Sequence, residues 1–176
     1  MTGPMKIHGA VLALVLGVVA VGPHEAMAAP GDTYDDAARR LVEMGRDNLG
    51  QEEYVEALEM FESALVANPG SVDALIALGD AYHAIERGDR SLRYYRQALQ
   101  IAPNNRAALK AEALALIADG DMEGARTNLD RLRRVCGEAG CEEIGQIEKM
   151  LADAEADSEA TDAQSAQSTA PEDDGG

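Results

Sequence analysis

Two cysteines and one of three histidines, His83, are the side chains in this sequence that first suggest chemistry beyond charge. Cys136 and Cys141 are its only cysteines. On one unbroken helix, five residues turn by about 500°, which would hold the two thiols roughly 140° apart. Gly137 and Gly140 lie between them and argue that the helix ends there. The pair would then staple the end of one helix to the start of the next. In an oxidising compartment the default is a structural disulfide, adding about 2 kcal/mol on the chain-entropy estimate. A thiol-redox or metal-handling role for Cys136 and Cys141 is the alternative. The usual redox spacing is Cys-x-x-Cys, shorter than here. A zinc or copper site needs further ligands, and Met44, Met60, Met122 and Met150 are scattered.

Hydrolytic chemistry has little to draw on. A serine or cysteine nucleophile needs a histidine base. His8 and His24 fall within a leader-like start, which leaves His83. No glycine-rich phosphate loop of the G-x-x-x-x-G-K or G-x-G-x-x-G kind is present. Paired acids, as in "GQEE" and "GCEE", read as solvated helix faces, since a carboxylate pair needs a cleft to tune it. The expectation is a protein that is not an enzyme, with no cofactor and no metal.

The first 28 residues read as a secretory signal. Lys6 and His8 form a polar start, Ala10 to Gly22 is an apolar run too short to span a bilayer comfortably, and Pro23 breaks it. Ala26 and Ala28 supply the small residues of a cleavage site after Ala28. An uncleaved anchor is the competing reading. Removing residues 1–28 takes Lys6 and Glu25 together, so the net charge stays at −17. That charge argues against nucleic acid and against an anionic membrane surface. Arginine far outnumbers lysine, which occurs only at Lys6, Lys110 and Lys149. This usage suits a GC-rich bacterium and, with an export signal, points to the periplasm.

The elements that position these residues come from an internal repeat. A shift of 34 places Ala57 on Ser91, Phe61 on Tyr95, Ala64 on Ala98 and Pro69 on Pro103. With the frame started at Ala38, the units are 38–71, 72–105 and 106–139. Their fourth residues are Leu41, Leu75 and Leu109, and their eighth Gly45, Gly79 and Ala113. Their twentieth residues are Ala57, Ser91 and Ala125, and their twenty-fourth Phe61, Tyr95 and Leu129. The set resembles tetratricopeptide repeats, with "LGDAY" (Leu78 to Tyr82) the nearest match to the family pattern. Each unit reads as two helices of period 3.6. A lone pair cannot bury its apolar face, so units stack. The resemblance implies an all-α fold: a right-handed superhelical solenoid of three helix-turn-helix units over 33–139, closed by a capping helix at 141–156.

Unit three departs from the pattern in ways expected of a terminal repeat. Leu132 replaces the small Ala64 and Ala98, Gly137 stands where proline would, and Glu112 takes the position of Met44 and Leu78. Thr33, with Asp36 three residues on, reads as a capping-box start for the first helix. Ile144, Ile147 and Leu151 share one helical face and form a lid. Residues 157–176 read as a disordered acidic tail. The segment "LRRVCGEAGCEE" also resembles the ending of small exported tetratricopeptide proteins of alphaproteobacteria, a likeness that implies no activity.

In this repeat family the first helices line a concave face. Carried over position by position, that groove would present Arg39, Val42, Arg46 and Leu49 from unit one. Unit two would add Asp73, Ile76, Asp80 and His83, and unit three Ala107, Lys110, Leu114 and Ile117. The family's carboxylate clamp is missing, because Val42, Arg46 and Leu49 stand where Lys, Asn and Asn are needed. The implied function is a scaffold or adaptor that binds a protein or peptide in its groove. The groove charges could instead pair with each other, for example Arg46 with Asp80. Self-association through the concave face or the tail is a further reading. On the outer face, Glu52, Glu53, Glu56, Glu59 and Glu62 of unit one lie beside Arg87, Arg90, Arg93 and Arg96 of unit two, which suggests salt bridges between units.

Overall fold

A computed structural model describes residues 30–168, all of the regular structure being helical. Residues 1–28, read from the sequence as a leader, and 169–176, the end of the stretch read as a tail, lie outside the described residues. Six helices form three antiparallel pairs: α1 (Pro30–Gly50) with α2 (Tyr54–Ala67), α3 (Val72–Ala84) with α4 (Gly88–Ile101), and α5 (Arg106–Ala118) with α6 (Met122–Cys136). A 3-10 turn at Gly137–Ala139 leads into α7 (Glu142–Ser168). Each first helix also packs on the first helix of the next unit, so α1, α3 and α5 form one continuous wall.

The period is written into the backbone as well as the side chains. Glu52, Glu86 and Gly120 fall at the same point of their units, in the turn between paired helices, and all three have positive φ (63°, 58° and 83°). Only Gly120 adopts that conformation without a Cβ penalty. Ser71 and Asn105 begin α3 and α5 in the same way, each side-chain oxygen accepting the N–H three residues on. Asp121 does the same for α6. The start of α1 differs from the sequence expectation. The helix begins at Pro30, a residue suited to the first turn, and Thr33 lies inside it rather than capping it.

Gly45 and Gly79 are required by close approach. A Cβ on Gly45 would lie 2.4 Å from the Phe61 ring, and one on Gly79 would lie 2.3 Å from the Tyr95 ring. The small residue of the first helix therefore seats the aromatic ring of the second, with Ala57 and Ser91 buried alongside. In unit three Leu129 replaces the ring, and Ala113 fits where glycine stood. Two core clusters result. One lies around Val42, Phe61 and Leu78, the other around Tyr95, Leu109, Leu132 and Ile147.

Glu112 breaks the pattern without being left unpartnered. Its side chain is buried, accepts from Asn128 Nδ2 at 2.7 Å and from Arg96 Nε at 3.3 Å, and so ties α4, α5 and α6 together. It is a junction between units two and three.

The lid packs as its periodicity requires. Ile147 and Leu151 are buried on the core of unit three, with Ile144 and Ala154 beside them. Arg106, Arg126 and Arg133 pair with Glu143, Glu155 and Glu148 of α7. The disulfide Cys136–Cys141 joins α6 to α7, with Gly137 and Gly140 at positive φ between its cysteines. The helix does not end at 156 but continues to Ser168, through residues read from composition as tail. Alanine, glutamate and glutamine are good helix formers, and a helix already nucleated extends into them readily.

Candidate functional site: the concave groove

A cavity of about 350 Å³ opens on the wall formed by α1, α3 and α5. Helix α1 contributes Arg46, α3 contributes Ile76, Asp80 and His83, and α5 contributes Ala107, Lys110 and Leu114. These seven were all mapped to the groove from their repeat positions. The cavity adds three residues that mapping did not assign to it: Ala111 and Ala115 of α5, and Tyr95 of α4.

The remaining mapped residues lie elsewhere. Val42 is 2 % exposed and belongs to the core, as does Ile117 at 6 %. Leu49 is half-buried against the first core cluster. Arg39 is ion-paired with Asp36, and it lines with Asp73 a separate depression between the start of α1 and the loop before α3. Position in the repeat sets the direction in which a side chain leaves its helix. Its length and chemistry decide whether it passes the rim. A valine stays between the helices, whereas a lysine at the same repeat position carries its amine beyond them.

Asp80 is the polar centre. The Tyr95 hydroxyl donates to its Oδ1 at 2.8 Å. Burial pushes the Asp80 carboxyl above the ordinary carboxylate range, against the hydrogen bond from Tyr95 and the positive fields of Arg46, His83 and Lys110. The Tyr95 phenol is held well above its usual range by burial and by the adjacent Asp80 charge, so it stays a donor. Among the described residues Arg46 and Lys110 have no hydrogen-bond or ion-pair partner. The direct Arg46–Asp80 pair therefore does not form. Tyr95 could have been suspected from sequence, since its counterpart Phe61 fills the same space without a hydroxyl.

The outer face also departs from expectation. Among the described residues no salt bridge links the acidic row of α2 to the arginines of α4. Arg87 pairs with Asp89 at 3.9 Å and Arg96 with Glu112. Arg90 and Arg93 lie over Tyr82 and Tyr94, whose rings stack 5.4 Å apart. These two arginines engage aromatic faces rather than the neighbouring glutamates.

No group of three or more His, Cys, Asp or Glu side chains is arranged to hold a metal ion among the described residues, and no described helix is long and apolar enough to cross a membrane.

The helix pairs, their small-on-aromatic seats and the stacked wall are the packing of tetratricopeptide repeats. Residues 42–106 match the family profile described as "Tetratricopeptide repeat". Over 111 residues, 61 % of the chain, the sequence is 35 % identical to Superkiller protein 3 of Saccharomyces cerevisiae, and spans 8 % of that protein's length. Similar solved structures include the Sgt2 TPR domain from Aspergillus fumigatus, with TM-score 0.61 and 20 % identity over 78 % of this chain and 87 % of that one. The first TPR of Spaghetti (RPAP3) bound to the HSP90 peptide SRMEEVD gives 0.58 and 20 % over 67 % and 95 %. The Yersinia enterocolitica chaperone SycD in complex with a peptide of the translocator YopD gives 0.60 and 15 % over 70 % and 95 %.

Proposed function

We propose that this protein is an exported, periplasmic adaptor that holds a peptide segment of a partner protein in its concave groove and performs no catalysis. The observation that carries the binding reading is the cavity on α1, α3 and α5. It combines an apolar wall (Ile76, Leu114), a small-residue floor (Ala107, Ala111, Ala115) and charged groups left open to a ligand. Structural neighbours complexed with peptides support it, RPAP3 with an HSP90 peptide and SycD with a YopD peptide. Export rests on the leader-like residues 1–28, and periplasmic residence on that leader together with the arginine-rich usage that suits a GC-rich bacterium. The disulfide is compatible with an oxidising compartment.

A photo-crosslinking residue at Ala111, introduced in the native host, tests the groove. Capture of one discrete partner from Ala111, but not from the outward-facing Glu59, is the expected result. Equal capture from both, or none from Ala111, refutes groove binding. Fractionation of the same cells tests export: the protein should appear in the periplasmic fraction without residues 1–28.

A further inference from the structure

We infer that the groove selects an internal acidic segment of its partner: an extended stretch bearing Asp or Glu side chains, one carboxylate seated toward Arg46 and another toward Lys110. This rests on the groove being a peptide site and adds what the peptide must carry.

The argument begins with charge that is left over. The chain has 32 acidic residues against 15 Lys and Arg. Acids are therefore abundant, and most basic side chains among the described residues are engaged. Arg106, Arg126, Arg133 and Lys149 have acidic partners, and Arg131 donates to the Pro103 carbonyl. Arg46 and Lys110 flank the cavity from α1 and α5 and have none. The carboxylate between them, Asp80, is already turned to Tyr95 through Oδ1. The groove is thus a locally cationic place in a strongly anionic protein.

Geometry favours side-chain acids over a chain end. Arg46 reaches the cavity from α1 and Lys110 from α5, with Asp80 of α3 between them. Two cations held on either side of an acid call for two carboxylates along a segment, and a chain end supplies one. The cavity volume, about 350 Å³, is less than a turn of helix with side chains would fill, given a diameter of roughly 10–12 Å. An extended chain fits, and the alanines of α5 let its backbone lie close. Asp80 Oδ2 is left to accept a main-chain N–H, while its charge opposes an acid placed directly over it.

The test uses the full chain and three short peptides, N-acetylated and C-amidated, identical except for Glu, Gln or Lys at alternate positions. Binding is read by fluorescence anisotropy and by methyl NMR shifts of Ile76 and Leu114. The Glu peptide should bind about tenfold more tightly than the Gln peptide, as expected for charge-assisted contacts. Arg46→Gln and Lys110→Gln should each erase most of that preference, and Asp80→Asn should enlarge it. Circular dichroism of each variant separates lost contacts from lost fold. Equal binding of Glu and Gln peptides, or preference for Lys, overturns acidic selection while Ile76 and Leu114 shifts keep the groove reading alive. No shift with any of the three peptides overturns both.

Discussion

Units two and three share one packing grid and place their polar residues on opposite sides of it. In unit two the ninth and twenty-fourth positions hold Asp80 and Tyr95, and their hydrogen bond opens on the groove. In unit three the same positions hold Leu114 and Leu129. The polar pair moves to Glu112 and Asn128, at positions that are Leu78 and Tyr94 in unit two. Glu112 has both oxygens engaged, one by Arg96 and one by Asn128. Asp80 has one. A carboxylate whose acceptors are used up within the chain is structural. One with an acceptor left over, in a cavity between unpaired cations, is available to a ligand.

The largest expected effect tests the shared grid. Gly79→Ala drives a methyl into the Tyr95 ring, where a Cβ would lie 2.3 Å from ring carbon. Overpacking of this kind costs about 1–3 kcal/mol, and the rigid ring leaves little room for relief. Urea unfolding should show a loss near the upper end of that range. Ala113→Gly, at the equivalent point of unit three, should cost only about 1 kcal/mol, from helix propensity. Equal losses would mean that the two units do not seat their second helices in the same way.

Glu112→Ala breaks the polar pair of unit three. It leaves Asn128, 4 % exposed, without its acceptor, and releases Arg96. A buried donor left unsatisfied costs about 1–3 kcal/mol. Tyr95→Phe, the matching change in unit two, should cost about 1 kcal/mol, since Asp80 can turn to water. A larger loss from Tyr95→Phe than from Glu112→Ala would reverse the assignment of closed and open carboxylates.

Replacing both Cys136 and Cys141 by serine should lower stability by about 2 kcal/mol on the chain-entropy estimate. The loss should show in α7 first, because the bond lies at its entry. Hydrogen exchange at Ile147 and Leu151 would report it, and unchanged protection there would show that the lid holds without its staple.

Much of the architecture was legible because tetratricopeptide spacing is a packing requirement. Gly45 and Gly79 announce a ring seat, Pro69 and Pro103 a helix stop, and Ile144, Ile147 and Leu151 a lid. The groove was legible in direction but not in depth. Val42 and Lys110 share a repeat position, yet one is core and the other lines the cavity, because side-chain length decides which passes the rim. The Tyr95–Asp80 contact was hidden because it joins a second helix to a first across fifteen positions, and one hydroxyl distinguishes it from Phe61. The charge rows of α2 and α4 misled, since adjacency in a repeat map does not include the aromatic faces that compete for arginine. The reach of α7 to Ser168 was hidden by composition: alanine- and glutamate-rich chain reads alike as tail or as solvated helix.

The smallest effect bears directly on the open carboxylate. Burial raises Asp80 in the folded state, so ionising it disfavours folding relative to the unfolded chain, where the carboxyl titrates at its ordinary value. A raised folded value gives a contribution fully present below the unfolded value and lost as pH rises through the folded one. Between neutral pH and mild acid, wild type should therefore gain on Asp80→Asn, whose amide does not titrate. At neutral pH the variant should equal or slightly exceed wild type, because its carbonyl still accepts from Tyr95 and no charge is buried. Melting temperatures of the two proteins, measured from pH 7 down to pH 4, should converge or cross on the acid side. A gap that widens in favour of the variant as pH falls would mean that Arg46, His83 and Lys110 hold Asp80 as a stabilised anion. The groove would then be internally neutralised, with little positive field left for an acidic segment.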